Sequence, residues 1–223
     1  MVLGPQVSKI LQPAPPQLVS YNFVDIATGT GYVNYYAGTA SGANVLSNFP
    51  FYSDSILSTN TIASPDYTGV SLDLDFTVLL NNPIDIKGNA IVDVPVGFVN
   101  IAGNSTAKTF IKAFIKKWDG VNPDVTLGGG SSSEWTTATT AGNWNYNIRT
   151  ATIPITTVQH IKRGEYLRLT VEVWGKESVD AQNRIVAGHD PMNRSSQDGV
   201  EYGKIFASGA SILKLQLPLR TGD

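Results

Sequence analysis

The sequence lacks several residues on which enzymes and small cross-linked domains depend. It contains no cysteine, which excludes disulfides, thiolate metal sites and cysteine nucleophiles. The two histidines, His160 and His189, belong to no H-E-x-x-H or H-x-H pattern, so the sequence predicts no metal site. Neither a G-x-S-x-G elbow nor a Walker loop is present. On these grounds we expect a protein with no catalytic residues, no metal and no cofactor.

Charge and long apolar runs are also scarce. Charged residues make up 15% of the 223 residues, compared with roughly 25% in typical soluble domains. A net charge of −2 provides no excess of positive charge that could attract phosphate groups, so we expect no sequence-specific nucleic-acid binding. The apolar runs are too short to span a bilayer, and no basic segment precedes an apolar run near the start. We therefore expect neither a transmembrane segment nor a secretory signal.

What the sequence does contain is alternation of apolar and polar residues. The alternation is clearest from Leu167 to Val173 and from Leu213 to Leu219. Further β-rich segments cover residues 18–26, 32–36, 71–80, 90–101, 109–118 and 143–155. A period of two indicates strands with one face in a core, and no segment has a convincing amphipathic helical pattern. The sequence therefore predicts an all-β fold, a single two-sheet antiparallel β-sandwich of jelly-roll type.

Residues 1–17 are predicted to form an extended arm in front of a sandwich domain at residues 18–223. The arm contains four prolines, which remove backbone donors and favour an extended path. One interpretation is a frayed terminus. The other is an arm that lies on a neighbouring subunit, anchored by Val7, Ile10 and Leu11.

Long polar loops separate the predicted strands. Residues 37–69 are rich in small polar residues but contain Phe49, Phe51 and Tyr52, which form either contact points or a small satellite core. Residues 119–142 are of low complexity, include a run of three glycines, and predict a protruding loop.

Aromatic side chains in and beside these loops support an alternative function. A carbohydrate-binding or receptor-binding sandwich, such as an adhesin or spike module, would use exposed aromatic rings as stacking platforms. The candidate rings are Tyr52, Tyr67, Trp135 and Trp144.

Two charged segments leave alternatives open. Asp73 and Asp75 share one face of a strand, which suits a hard cation, an acid/base pair or simply a solvated face. The lysine-rich segment from Lys108 to Lys117 suits either contact with nucleic acid or an edge strand guarded by lysines, and the second interpretation is favoured.

The motif H-D-P-M-N-R holds the densest set of chemically capable side chains. Asp190 before a proline favours a turn in which the carboxylate bonds to N–H groups two residues on. Arg194 brings a planar five-donor group that can hold carbonyls or a carboxylate. The motif predicts a capped turn or a contact between subunits made by His189, Asp190 and Arg194. A hydrolase using His189 with Asp190, or the Asp73/Asp75 pair, is the remaining alternative.

Three segments near the C-terminus carry a family resemblance. The order I-K-R-G-E-Y-L-R-L-T-V-E-V-W, then H-D-P-M-N-R, then L-K-L-Q-L-P-L resembles β-sandwich virion proteins of microbial DNA viruses, phages included, over about residues 160–220. In that group a K-x-G-[DE]-x-L-R-L strand and an H-D-P-x-N-R loop precede a closing strand that ends in an I-P-F-like sequence. Here Leu217-Pro218-Leu219 stands at that ending.

The resemblance implies a viral structural protein and not an enzyme. Such a chain would be a capsid subunit or capsid-associated protein, assembled in the host cytoplasm and located in the virion. Its partners would be copies of itself, in an oligomer such as a trimer, and other virion proteins.

Overall fold

The structure, a computed structural model, describes residues 19–20, 30–100, 103–178, 183–194 and 211–220. The strands are β1 (Val19–Ser20), β2 (Thr30–Ala40), β3 (Ala43–Ser47), β4 (Leu57–Thr61), β5 (Leu72–Leu79), β6 (Ile84–Val99), β7 (Asn104–Trp118), β8 (Val125–Ser131), β9 (Trp135–Thr140), β10 (Trp144–Ile161), β11 (Tyr166–Glu177), β12 (Arg184–Gly188) and β13 (Leu213–Arg220). Among the described residues no helix is long and apolar enough to cross a membrane. All regular structure in them is β, which confirms the all-β prediction. The predicted arm, with Val7, Ile10 and Leu11, lies outside the described residues.

The strands pair into one continuous network. Its order is β4-β12-β6-β13-β2-β3-β5-β11-β7-β8, with β1 paired to β2, β9 to β7 and β10 to β6. The pair β3/β5 runs parallel, so the sheet is mixed and the prediction of a wholly antiparallel arrangement is wrong. The cause is β4, which leaves to pair with β12 before the chain returns beside β3 in the same direction.

The alternation seen in the sequence places one face of each central strand in the core. On β11 the side chains of Leu167, Leu169, Val171 and Val173 are fully buried, and those of Leu213, Leu215 and Leu217 are equally buried on β13. They join a single apolar cluster that also draws on β2, β5, β6, β7, β10 and β12. Burying each such side chain contributes about 1.5–3 kcal/mol, so this cluster is the main source of stability.

The predicted loop at residues 119–142 is wrong over most of its length, because β8 and β9 both pair with β7. The three glycines lie on β8, where this strand passes close to β10. A Cβ atom on Gly130 would overlap the carbonyl oxygen of Thr152, and one on Gly129 would lie 2.8 Å from the ring of Phe114. Glycine inside a strand commonly marks such a close approach.

The lysine-rich strand β7 is not an edge strand, which corrects the favoured interpretation of its lysines. It pairs with β11 on one side and with β8 and β9 on the other. Its lysines are held by neighbours on the outer face: Lys108 lies 3.0 Å from Glu134, and Lys112 lies 4.3 Å from the ring centre of Trp174.

Candidate functional site

A half-open crevice of about 460 Å³ lies beside the parallel pair β3/β5. The two strands are in register at Val45 and Thr77. Apart from Tyr35 of β2, the residues that line the crevice follow this point on the two segments. The lining residues are Tyr35, Leu46, Ser47, Asn48, Phe49, Val78, Leu79, Leu80, Asn81, Asn82 and Ile84. Parallel strands end at the same edge of a sheet, so the two outgoing segments diverge together and leave a space between them.

The lining combines apolar area with uncharged polar groups. Phe49 and Leu79 are 48% and 46% exposed, so each offers a large apolar surface to solvent. The hydroxyl of Ser47 accepts the N–H of Phe49 at 3.2 Å, which fixes the turn that carries the ring. None of these described lining residues is charged. A mainly apolar crevice with a few polar groups is the usual form of a small-molecule site.

Tyr35 is the one tyrosine of the lining, and it is 2% exposed. Burial raises the pKa of Tyr35 to about 12, so its phenol stays protonated at neutral pH. Its hydroxyl has no hydrogen-bond partner within the part of the chain that the structure describes.

The H-D-P-M-N-R motif forms the capped turn that the sequence predicted. The buried carboxylate of Asp190 accepts the N–H groups of Met192 at 3.2 Å and Arg194 at 2.6 Å. It also accepts the Nε and Nη2 groups of Arg194 at 2.9 and 3.2 Å. Arg194 donates further to the carbonyl of Ser53 at 2.6 Å, and its guanidinium lies 3.9 Å from the ring centre of Tyr52. The turn therefore ties the segment before β4 to the segment after β12.

The same turn is joined to the start of β13. The N–H of Asp190 donates to the carbonyl of Ser211 at 2.9 Å, and the N–H of Ser211 donates to Oδ1 of Asn193 at 3.0 Å. The expectation that His189, Asp190 and Arg194 contact another subunit stays a prediction, since these bonds all lie within one chain.

Ser58 and His189 form a hydrogen-bonded pair beside this turn. The hydroxyl of Ser58 lies 3.0 Å from Nε2 of His189. Burial lowers the pKa of His189 to about 4, so the imidazole is neutral at pH 7. However, Nδ1 of His189 has no hydrogen-bond partner in the described residues, and the carboxylate of Asp190 is held by Arg194. A serine–histidine–carboxylate triad needs a third group on Nδ1. The geometry instead makes this pair an anchor for the outer strand β4.

The burial of His189 predicts acid sensitivity. The pKa of His189 falls from 6.5 to about 4 on folding, so between these values the unfolded chain binds a proton that the folded chain does not. The contribution of His189 to the free energy of unfolding should be fully present above about pH 6.5 and fall by up to about 3 kcal/mol as the pH drops towards 4.

Urea unfolding of the wild type and of His189→Gln across this pH range measures this contribution. Val158→Ala, which changes an exposed side chain without an ionisable group, serves as the control and should keep the wild-type dependence. A dependence that persists unchanged in His189→Gln would contradict the assignment.

The four candidate stacking rings are spread over different parts of the fold. Trp135 is partly buried and packs against the core, with its ring stacked on Phe98 at 5.6 Å between centroids. Tyr67 lies on the opposite face of the sheet, where it contacts the ring of Phe110 at 5.1 Å and donates to Glu134 at 2.8 Å.

The other two rings lie apart from these. Trp144 is half-buried against a second, smaller apolar cluster. Tyr52 is 71% exposed and lies beside Arg194 at the capped turn.

Asp73 and Asp75 do share the outer face of β5, as expected. Partial burial, followed by the charges of Asp75 and Glu172, raises the pKa of Asp73. Asp75 accepts the hydroxyl of Thr170 and lies 4.0 Å from Arg168. No group of three His, Cys, Asp or Glu residues able to hold a metal ion occurs in the described ranges. Asp75 takes part in cross-strand contacts with Thr170 and Arg168 of β11.

Comparison with known proteins gives structural matches only. No protein-family model matches the sequence, and no curated protein matches it. A CocE/NonD family hydrolase from Staphylococcus aureus aligns with a TM-score of 0.52 at 11% identity, over 86% of this chain and 37% of the hydrolase. An alpha-amino acid ester hydrolase aligns with a TM-score of 0.49 at 11% identity, over 84% of this chain and 36% of that one. A structure of infectious bursal disease virus, Gx strain, aligns with a TM-score of 0.26 at 14% identity, over 83% of this chain and 42% of the virus chain.

These comparisons overturn the expectation of a viral structural protein. The likeness to the virus structure is partial and too weak to carry an argument, whereas the match with a TM-score of 0.52 is to a hydrolase. The expectations of a non-enzyme and of a self-assembling phage capsid protein are wrong on the same ground. The expected partners and the expected virion location are not tested by these comparisons and stay predictions. At 11% identity the likeness to the hydrolase shows the fold alone, and this chain spans 37% of the hydrolase's length.

Proposed function

We propose that this chain is the ligand-binding β-domain of a hydrolase-type protein, and that the crevice beside β3/β5 holds a small uncharged ligand. The observation that carries the proposal is the crevice itself, about 460 Å³ in volume, with apolar and carboxamide side chains in its lining. The hydrolase context is supported by a fold likeness that covers most of this chain and a minor part of the hydrolase.

The chemistry of the lining defines the ligand class. Burying a charge without a paired group is costly, and the lining offers no charged side chain to compensate it. The carboxamides of Asn48, Asn81 and Asn82 both donate and accept hydrogen bonds, which suits neutral polar groups. Phe49 and Leu79 supply apolar contact area. A compact neutral molecule with an apolar body and one or two polar groups meets these conditions.

We infer further that the mixed sheet folds over itself into two layers, as in a sandwich. Side chains from β6, β13 and β2 and from β5, β11 and β7 belong to one buried cluster, although these strands lie in two different halves of the pairing order. A sheet that covers its own apolar face in this way needs no second element against it.

Truncation of Phe49 should weaken binding. With methyl phenylacetate as the probe, we expect Phe49→Ala to raise the Kd at least about fivefold, since the ring loses roughly 1 kcal/mol of apolar contact. Titration followed by NMR chemical shifts measures the two affinities. Ile148→Ala is the matched control, because Ile148 is 49% exposed, similar to Phe49, and does not line the crevice. Equal affinities in the wild type and Phe49→Ala, or no saturable binding by the wild type, would contradict the proposed function.

A further inference from the structure

Tyr35 occupies a position that its strand would ordinarily fill with an aliphatic residue. On β2 it lies between Val33 and Ala37 on the inward face, and both neighbours are fully buried aliphatic side chains. It pairs in register with Leu215 of β13. A phenylalanine would supply the same apolar ring without a polar atom, so the hydroxyl is the feature that requires an explanation.

The hydroxyl of Tyr35 has no acceptor in the described part of the chain, but it is not sealed from solvent. It is not one of the fully buried polar atoms without a partner, so the 2% of Tyr35 that stays exposed includes the hydroxyl. Tyrosine hydroxyl groups in largely buried positions usually bond to a protein group. Because Tyr35 lines the crevice, a ligand bound there can replace solvent as the acceptor.

We propose that the hydroxyl of Tyr35 donates a hydrogen bond to a carbonyl oxygen of the bound ligand, so that the crevice selects carbonyl compounds over hydrocarbons of the same shape. This inference rests on the proposed function. Because burial raises the pKa of Tyr35, the phenol is a donor throughout the neutral range. A carbonyl oxygen is an acceptor only, and it is the group that ester and amide substrates of hydrolases carry. The lining carboxamides complete the recognition, because they can bond to the polar groups that flank the carbonyl.

The test compares two probes on two proteins. Methyl phenylacetate carries a carbonyl group, whereas propylbenzene keeps the apolar body and lacks any acceptor. For Tyr35→Phe we expect the Kd of the ester to rise about tenfold, the effect of one lost hydrogen bond, while the Kd of propylbenzene stays within about twofold of the wild type. The substitution removes a single oxygen atom, and thermal unfolding checks that the variant remains folded.

The outcomes separate this inference from the proposed function. An unchanged affinity of Tyr35→Phe for the ester, with both probes still binding, would overturn the role of Tyr35 and leave the crevice a ligand site. Equal losses for ester and propylbenzene would also overturn it, since the hydroxyl would then act on the shape of the crevice alone. Failure of both probes to bind the wild type would overturn the proposed function and this inference together.

Discussion

Replacing Gly130 by alanine is expected to destabilise the fold by at least about 3 kcal/mol, because the added methyl group has no space. Its position would overlap the carbonyl oxygen of Thr152 on β10. Backbone atoms of a paired strand cannot move aside as a side chain can, so β8 must lift from β10 or the strand must unpair. Urea unfolding of the purified variant measures the loss directly.

Two other glycines provide the comparison for Gly130. Gly69→Ala should change stability by less than about 0.5 kcal/mol, since a Cβ atom there meets nothing within 4 Å. The stability loss in Gly129→Ala should lie between those of Gly69→Ala and Gly130→Ala, because its methyl group would meet the ring of Phe114, which can shift. A Gly130→Ala variant as stable as Gly69→Ala would show that β8 does not approach β10 as described.

Replacing Asp190 by alanine should cost about 3–5 kcal/mol, the usual loss when one partner of a buried ion pair is removed. Asp190 is fully buried, and its carboxylate accepts hydrogen bonds from the guanidinium and backbone of Arg194 and from the backbone of Met192. Without it, a largely buried guanidinium and two N–H groups lose their acceptor. Thermal and urea unfolding of Asp190→Ala measure the cost.

The control for Asp190 is an ion pair of similar length on the surface. Lys108 lies 3.0 Å from Glu134, but their side chains are 38% and 39% exposed, so Lys108→Ala should cost no more than about 1 kcal/mol. A double-mutant cycle of Asp190→Ala with Arg194→Ala should show strong coupling, because each residue's loss leaves the other unpaired. If Asp190→Ala and Lys108→Ala lower the free energy of unfolding by the same amount, the structural role of the turn is contradicted.

The sequence correctly predicted those parts of the fold that depend on patterns among residues close together in the chain. The alternation of β11 and β13 predicted both strands and their buried faces, since the side-chain period of a strand is two. Asp190 before a proline predicted the capped turn, because its bonds reach residues two and four positions on. The three glycines were misread as loop, although glycine within a strand also indicates a close backbone approach.

The crevice depends on a pairing that no local pattern shows. It is formed where residues 46–49 meet residues 78–84, and the two segments come together only because β3 and β5 run parallel. Phe49, an aromatic residue in a polar loop, was the available signal, and the sequence left it open between a satellite core and a contact point. The segments that carried the virion resemblance form the strand β11, the capped turn at Asp190 and the strand β13, and the contacts that the structure describes for them all lie within one chain.

The most direct test of the ligand-binding crevice is the NMR response of its asparagine side chains. During titration with methyl phenylacetate, we expect saturable shifts of the side-chain amide signals of Asn48, Asn81 and Asn82, with one shared Kd, because all three line the same crevice. Asparagines elsewhere, such as Asn145 on β10, should not respond. Shifts that are absent at these three residues, or that occur only around the capped turn at Asp190, would contradict the account.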